Sequence, residues 1–180
     1  MSDKMRKLNV LEMNRLSVEE FKETKKTPLI VVLDNVRSMH NVGSVFRTCD
    51  AFKVKEVWLC GITACPPNAE IHKTALGAEL SMDWKYVETA EQAVEMLKEK
   101  GYKVAAVEQT ENSQTPQSLI VKAQEKYAII LGNEVKGVSQ AAINKCDCCL
   151  EIPQYGTKHS LNVSVAAGIV IWEVAKKMMG

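Results

Sequence analysis

The chain has 180 residues, of which 46% are hydrophobic and 25% are charged, a composition typical of one compact globular domain. A disordered or fibrous protein is excluded, and apolar runs of about five residues are far too short to span a membrane. The formal net charge is +1. Because no global basic field exists, any nucleic-acid surface must be a local patch.

Six cysteines are spread along the chain without a repeated CxxC pair or an accompanying pair of histidines. This spacing argues against a structural zinc site and predicts reduced thiols in the core. The first residues are charged and contain no apolar stretch of the kind that secretory signals carry. We therefore expect a cytoplasmic protein.

Residues 1–27 are predicted to form a basic, amphipathic N-terminal extension in which leucines such as Leu8 and Leu11 are mixed with lysines and arginines. One interpretation is a helix packed on the body of the protein. The other is an arm that contacts RNA through Lys25 and Lys26. Residues 28–180 are predicted to form the main domain.

Segments typical of buried strands alternate with helical segments from residue 28 onward. Strands are predicted over 28–33, 57–60, 83–87, 103–107, 127–131 and 148–152. One helix is predicted to begin near Asn41, and another follows the capping residue Thr89 and stops at Gly101. A last helix is predicted over 161–178, with its apolar surface supplied by Val165, Gly168, Ile169, Trp172 and Val174. The alternation predicts an α/β fold with a largely parallel sheet flanked by helices.

Three polar segments, each beside an apolar run, occur at 35–47, 131–137 and 152–164. Polar residues that follow buried strands usually mark the functional edge of an α/β sheet, so the three segments are predicted to converge on one site. The sequence contains no G-x-G-x-x-G, no G-x-x-x-x-G-K-[ST] and no G-x-S-x-G. A conventional dinucleotide site, a P-loop and an α/β-hydrolase are therefore disfavoured.

These segments resemble, in order, the three motifs of the SpoU (TrmH) family. The first motif corresponds to HNVGSVFRTCD at 40–50, the second to GNE at 132–134 with Gly137, and the third to IP at 152–153 followed by SLNVS at 160–164. The segment KTALGAE at 73–79 resembles the stretch between the first two motifs. Members of this family are S-adenosylmethionine-dependent RNA 2′-O-ribose methyltransferases of the SPOUT superfamily. The resemblance therefore implies a C-terminal trefoil knot, a homodimer, and methyl transfer from S-adenosyl-L-methionine to a ribose 2′-hydroxyl in tRNA or rRNA.

The resemblance assigns catalytic roles to five residues: Arg47, Asn41, Glu134, Ser160 and Asn162. Without it, Arg47 would be a surface arginine, Glu134 a solvated turn carboxylate, and the other three would be helix caps. The family's arginine is proposed to accept the hydroxyl proton, although a guanidinium normally keeps its own proton. Two roles stay open for Arg47: a perturbed base assisted by an RNA phosphate, or a clamp that fixes this phosphate while another group takes the proton.

The resemblance also implies that the main chain binds the cofactor, at four positions: Gly132, Ile152, Leu161 and Val107. A glycine allows a ligand to approach the backbone closely, and apolar side chains suit the walls of an adenine pocket. We expect RNA contacts from four basic residues near the motifs: Arg37, Lys136, Lys158 and His159. No metal is expected, because the sulfonium donor is already reactive.

Histidines at 40, 72 and 159 could act as general bases because this side chain titrates near neutral pH. None has a candidate carboxylate partner at a fixed local spacing, so RNA contact or a structural role is the favoured interpretation.

Two other functions stay open for the chain. One is an RNA-binding protein of the same fold without catalysis, and the other is an α/β enzyme acting on a different nucleotide or small molecule.

Overall fold

A computed structural model describes residues 5–122 and 124–179. Six strands form one sheet in the order β3-β2-β1-β5-β4-β6, and every pair of neighbouring strands runs parallel. The strands are β1 (Thr27–Asp34), β2 (Val54–Cys60), β3 (Asp83–Val87), β4 (Tyr102–Val107), β5 (Lys126–Leu131) and β6 (Cys148–Leu150). The predicted α/β fold with a parallel sheet is confirmed.

Helices cover both faces of this sheet. They are α1 (Val18–Glu23), α2 (Met39–Ala51), α3 (Ala69–Ala75), α4 (Ala78–Ser81), α5 (Ala90–Glu99), α6 (Gln140–Ile143) and α7 (Val163–Met179), and a 3-10 turn lies at Leu11–Met13. Helices α2, α3, α4 and α7 contribute to the core on one face, and α5 and α6 to the core on the other. Neither face of the central strands is left to solvent.

The central strand β1 shows why its sequence is a continuous apolar run. Leu29, Val31 and Leu33 are fully buried in the core beneath α2 and α7. Ile30 and Val32 are buried in the opposite core beneath α5. Because successive side chains of a strand alternate between faces, a strand covered on both sides needs apolar residues throughout.

The order of the strands brings distant parts of the chain to one edge of the sheet. The chain proceeds from β1 to β2 and β3 in one direction, whereas β5 lies on the other side of β1 and separates it from β4. In a parallel sheet the carboxyl ends of all strands meet at the same edge, and ligands bind where the strand order reverses. The loops after β1, β4, β5 and β6 therefore share one rim. The trefoil knot implied by the family resemblance stays a prediction.

Two local predictions on the helices have different outcomes. Thr89 caps α5 as predicted, since its hydroxyl oxygen accepts a hydrogen bond from the backbone N–H of Gln92 at 3.2 Å. Helix α2 instead begins two residues before Asn41, and its cap is Ser38, whose Oγ accepts from the N–H of Asn41. The interpretation of Asn41 as a helix cap was therefore wrong, and its side chain lies free to bridge to other segments.

The predicted apolar surface of the last helix does not match its buried face. Val165, Ile169 and Trp172 are exposed at 51%, 37% and 50%, and only Val174 of the five is buried. The buried face is instead formed by Val163, Ala167, Val170, Ile171, Glu173, Val174 and Ala175. Apolar residues surround almost the whole helix, so the sequence pattern does not single out one face.

The end of β6 also differs from the prediction. The strand stops at Leu150, so Ile152 lies in the following loop. Beyond Leu150 the chain bonds to a neighbouring loop, where the N–H of Glu151 donates to the carbonyl oxygen of Gln114 at 2.9 Å. Ile152 is thereby placed at the rim of the sheet.

Part of the N-terminal extension is a packed helix. Ser17 and Glu20 form a reciprocal capping box at the start of α1, and Phe21 is buried in the core that α2 and α7 share. Residues 5–17 are exposed, and residues 1–4 lie outside the described part. The packed-helix interpretation thus fits α1, and the RNA-contacting arm stays a prediction.

The thiols follow the prediction of reduced cysteines. All six are free; Cys49 and Cys60 are buried, and the other four are half-buried. Burial raises the pKa of the Cys60 thiol to about 12. In the described ranges, no three or more His, Cys, Asp or Glu side chains form a group that could hold a metal ion. None of the helices in residues 5–122 and 124–179 is both long and apolar enough to span a bilayer.

Candidate active site

A cavity of about 730 Å³ lies at the carboxyl ends of β4, β5 and β6. Its lining comes from segments far apart in the sequence, mainly 107–110, 131–138, 150–152 and 159–163. The second and third polar segments of the sequence therefore meet in one cavity, whereas no residue of the first segment, 35–47, is in its lining. Its size is within the range typical of small-molecule and cofactor sites.

The turn after β5 forms one wall of the cavity and leaves no room for a side chain at Gly132. A Cβ atom at this position would lie 2.0 Å from the carbonyl carbon of Gly137 and 2.1 Å from the nitrogen of Val138. Asn133 and Gly137 exchange two backbone hydrogen bonds, of 3.0 and 2.9 Å. The Asn133 amide also donates to the carbonyl oxygen of Asn35 at 2.7 Å. The turn is thereby closed on itself and tied to the end of β1.

Glu134 connects this turn to the start of α2. Its carboxylate accepts hydrogen bonds from the backbone N–H groups of Arg37 at 2.9 Å and Ser38 at 3.0 Å. It also accepts from the side-chain amide of Asn41 at 3.1 Å. Desolvation would raise the pKa of Glu134, but these backbone and amide donors outweigh it and hold the pKa below its ordinary value. An ionised carboxylate is thus a fixed part of the site.

Asn41 extends this network to the third motif. Its side-chain oxygen accepts from the amide of Asn162 at 3.2 Å. The Asn162 side-chain oxygen accepts from the N–H of Ser164 at 2.9 Å, so Asn162 also caps α7. Hydrogen bonds therefore link Glu134, Asn41 and Asn162, one residue from each of the three motifs. Ser160 lines the cavity two residues before this cap.

All four residues predicted to bind the cofactor line the cavity: Gly132, Ile152, Leu161 and Val107. Leu131, Leu150 and Val163 add further apolar surface to the lining. The lining also includes backbone groups of the turn at 132–137. Apolar walls combined with backbone donors and acceptors suit a ligand that carries an aromatic base and polar groups.

Sequence reasoning missed two polar residues of the cavity, Glu108 and Gln109. The Glu108 carboxylate accepts from the N–H of Val138 at 3.0 Å, and the Gln109 amide donates to the carbonyl oxygen of His159 at 2.7 Å. Together they join the loop after β4 to the loops after β5 and β6. Their position directly after a buried strand is the signal that could have identified them.

Arg47 lies outside the cavity lining. It is exposed on α2, six residues and therefore about 9 Å along the helix axis from Asn41. Within the part of the chain that the structure describes, its guanidinium has no hydrogen-bond or ion-pair partner. One protomer alone therefore does not bring the first motif's arginine to the cavity that the other two motifs form.

The four residues predicted to contact RNA are all exposed, but they differ in position. Lys136 and His159 line the cavity, whereas Arg37 and Lys158 do not. Arg37 lies next to the site because its backbone N–H bonds to Glu134. Lys158 lies in the same loop as His159.

Two histidines have carboxylate partners that the sequence analysis did not foresee. The imidazole of His40 lies 3.0 Å from Glu70, on α3, and His72 contacts Glu79, seven residues further along the chain. The expectation of no partner was wrong because α3 packs against α2, and α4 follows α3 closely. Neither pair lines the cavity.

The sequence matches the profile of the SpoU rRNA Methylase family over residues 28–172. The tRNA (guanosine(18)-2'-O)-methyltransferases of Aquifex aeolicus and Thermus thermophilus are both 32% identical over 171 residues, 93% of this chain and 78% and 84% of theirs. A TrmH-family relative from Staphylococcus haemolyticus is 31% identical over 89% of this chain, which spans 63% of that protein.

Solved structures have the same architecture. The A. aeolicus TrmH/SpoU tRNA modifying enzyme superimposes with a TM-score of 0.79 at 28% identity, covering 90% of this chain and 81% of that one. The AdoMet-bound rRNA methyltransferase of Sinorhizobium meliloti gives a TM-score of 0.80 at 24% identity, covering 89% and 61%, a likeness of fold. The family match covers all three motifs and the segments that form the cavity, so the chain belongs to the SpoU (TrmH) family of RNA methyltransferases.

Proposed function

We propose that this protein transfers a methyl group from S-adenosyl-L-methionine to a ribose 2′-hydroxyl of tRNA or rRNA. The observation that carries the proposal is the hydrogen-bonded connection of Glu134, Asn41 and Asn162 beside a cavity with a backbone-lined wall. It unites all three motifs of a methyltransferase family. The names of the two relatives at 32% identity make tRNA the first RNA to assay.

The cavity fits the cofactor that the family uses. Gly132, which has no room for a Cβ, presents bare backbone, and Ile152, Leu161 and Val107 supply apolar surface for an adenine ring. When bound, S-adenosylmethionine supplies a methyl group on a sulfonium centre that needs no metal for its activation. Holding the acceptor hydroxyl in line with that group is the main task of the protein, and such positioning is worth about 7–11 kcal/mol.

The polar network performs this positioning. Glu134 fixes the first turn of α2 through the N–H groups of Arg37 and Ser38, and Asn41 fixes the loop before α7 through Asn162. Ser160, in that loop, can donate a hydrogen bond to the substrate. Arg47 binds an RNA phosphate next to the acceptor ribose or accepts the hydroxyl proton.

We place Arg47 of one protomer at the cavity of its partner in a homodimer. Helix α7 exposes an apolar stripe of three side chains at helical spacing: Val165, Ile169 and Trp172. Helix α2 lies beside α7, with Asn41 bonded to Asn162 and the ring of Phe52 5.4 Å from that of Trp172. A second copy that covers the stripe would lie against the exposed face of α2, which carries Arg47.

Calorimetric titration with S-adenosylmethionine, NAD and ATP tests the choice of cofactor. We expect binding of S-adenosylmethionine only. Mass spectrometry of nucleosides from unmodified tRNA and rRNA incubated with the protein then identifies a 2′-O-methylated nucleoside. Binding of the cofactor and RNA without methyl transfer would instead identify a non-catalytic RNA-binding protein, and binding of NAD or ATP alone would contradict the proposal.

Arg47→Lys tests the arginine, because lysine keeps the charge and loses the planar fork. We expect strongly reduced methyl transfer with near-normal cofactor affinity, and unimpaired turnover would remove Arg47 from the mechanism.

The double variant Val165→Glu with Ile169→Glu tests the dimer, and light scattering measures its oligomeric state. We expect a monomer, whereas Leu80→Glu, which changes an exposed side chain of α4, should leave the dimer intact.

RNA affinity should fall steeply with salt if Arg37, Lys136, Lys158 and His159 contact phosphates, because each contact releases counterions. The measurement is the dissociation constant of tRNA between low and physiological salt. An affinity that does not depend on salt would contradict these contacts.

A further inference from the structure

Tyr155 is the most exposed aromatic side chain in the described ranges, with 96% of its surface accessible. It lies in the loop between β6 and α7, both ends of which line the cavity, at 150–152 and 159–163. Its neighbour Gln154 also lines the cavity. Tyr155 therefore stands at the mouth of the proposed cofactor site, outside the lining itself.

The loop that carries Tyr155 is anchored at both ends. On one side, the N–H of Glu151 donates to the carbonyl oxygen of Gln114 at 2.9 Å. On the other, the carbonyl oxygen of His159 accepts from the Gln109 amide at 2.7 Å. The middle of the loop lies free above these anchors, and an ideal Cβ at Gly156 would meet nothing within 4 Å. The loop thus holds Tyr155 at a defined position that is open to solvent.

Within the described residues of one protomer, the Tyr155 ring takes no part in hydrogen bonding or in the packing of the core. Among residues 5–122 and 124–179, none forms a hydrogen bond with Tyr155, and it belongs to neither core cluster. Its exposed neighbours in the loop include Lys158 and His159. An open aromatic ring in the same loop as basic side chains is a combination by which proteins bind unpaired nucleic-acid bases, with the ring stacking on a base and the basic groups contacting phosphates.

We propose that Tyr155 is a positioning residue that stacks on an unpaired base of the RNA substrate at the mouth of the cavity. This inference rests on the proposed function, and it adds how the RNA is held. Stacking uses the face of the base, so Tyr155 contributes affinity without selecting among the four bases. Base identity must then be read by other groups.

The test compares Tyr155→Ala, Tyr155→Phe and Tyr86→Ala. Tyr86 is the matched control, since it is an exposed tyrosine on β3, at the opposite edge of the sheet from β6. The readouts are the affinity for unmodified tRNA by fluorescence anisotropy, the KM for that tRNA, the affinity for S-adenosylmethionine, and the oligomeric state.

For Tyr155→Ala we expect tRNA affinity to fall and the KM to rise by about 5- to 150-fold, the range set by the loss of one stacked base. Tyr155→Phe and Tyr86→Ala should stay within about twofold of the wild type, and cofactor affinity should be unchanged in all three. Wild-type tRNA affinity in Tyr155→Ala would overturn the inference while leaving the proposed function intact. Dissociation of the oligomer by Tyr155→Ala would overturn it in favour of a contact with a second copy. A wild-type protein that binds tRNA but transfers no methyl group defeats the proposed function alone, because the anisotropy comparison still decides on Tyr155.

Discussion

Two cavities of similar size are built in different ways. The candidate active site, of about 730 Å³, is lined by loops from three strand ends that hydrogen bonds tie together. The second cavity, of about 580 Å³, is lined by residues of one continuous stretch, including Pro66, Pro67, His72 and Trp84. The first therefore exists only when β4, β5, β6 and the loop before α7 are assembled, whereas the second depends mainly on local structure.

This difference predicts where function and stability are coupled. Substitutions that disturb the first cavity should change cofactor binding as well as folding, because the same hydrogen bonds hold the turn at 132–137, α2 and α7 in place. Substitutions in the second cavity should change stability without changing methyl transfer. Variants in one cavity thus serve as controls for variants in the other.

The largest effect is expected for Gly132→Ala. The added Cβ would overlap the backbone of Gly137 and Val138, which are not flexible side-chain ends and must move as part of the turn. Overpacking of this kind costs about 1–3 kcal/mol, so we expect the affinity for S-adenosylmethionine to fall about 5- to 150-fold. Calorimetric titration of the purified variant measures this change.

Gly168→Ala is the matched control, because an ideal Cβ on this glycine of α7 meets nothing within 4 Å. Alanine is also favoured over glycine in helix interiors by about 0.5–1 kcal/mol, so this variant should be as stable as the wild type or more so. Equal cofactor affinity in both alanine variants would show that the turn does not approach the ligand.

The sheet and the location of the site could be predicted from the sequence. The continuous apolar runs at 28–33 and 127–131 are strands covered on both faces, and runs of this kind have few other interpretations. The residues Gly132, Ile152, Leu161 and Val107 line one cavity because each ends or follows a strand or precedes the last helix on the same rim. In a parallel sheet, the positions of the strand ends in the sequence therefore predict which residues lie at the site.

Features that depend on packing between distant segments could not be predicted. The bond between Asn41 and Asn162 joins residues 121 positions apart, and His40 meets Glu70 only because α3 packs on α2. The outward face of α7 was also missed, since its residues are apolar nearly all round the helix. Arg47 shows the same limit, because the approach to a cavity that we propose for it depends on the second copy of the proposed homodimer.

The next largest effect is expected for Glu134→Gln. The amide keeps one oxygen acceptor but loses the negative charge that faces two backbone N–H groups and the Asn41 amide. Hydrogen bonds to charged groups contribute about 1.5–3 kcal/mol to stability. Because Glu134 is partly exposed, we expect its replacement to lower the free energy of unfolding by an amount near the lower end of this range. Methyl transfer should fall more than cofactor affinity, because Asn41 and the start of α2 shift while the backbone wall remains. A variant with wild-type turnover would show that the connection between the motifs is not needed.

The same carboxylate gives a pH dependence of defined sign. Its pKa in the folded protein lies below the ordinary value of 4.5, so its contribution to stability is present above that value and is lost as the pH falls through the folded pKa. The free energy of unfolding, measured with urea, should therefore decrease less steeply below about pH 4.5 in Glu134→Gln than in the wild type. Other carboxylates titrate alike in both proteins and cancel in the comparison. Parallel curves would mean that Glu134 is not stabilised in its ionised form.

The smallest effect on function is expected for Glu79→Gln, which lies in the second cavity. The Glu79 side chain is 6% exposed and accepts hydrogen bonds from His72 and from the N–H of Gly77. Loss of the charge at a buried site should reduce the free energy of unfolding by about 1–3 kcal/mol. The affinity for S-adenosylmethionine and the turnover measured well below the melting temperature should equal those of the wild type, since none of these groups lines the first cavity. Reduced cofactor affinity in a folded Glu79→Gln protein would show that the two cavities are coupled through α3 and α2, and the separation drawn between them would then be wrong.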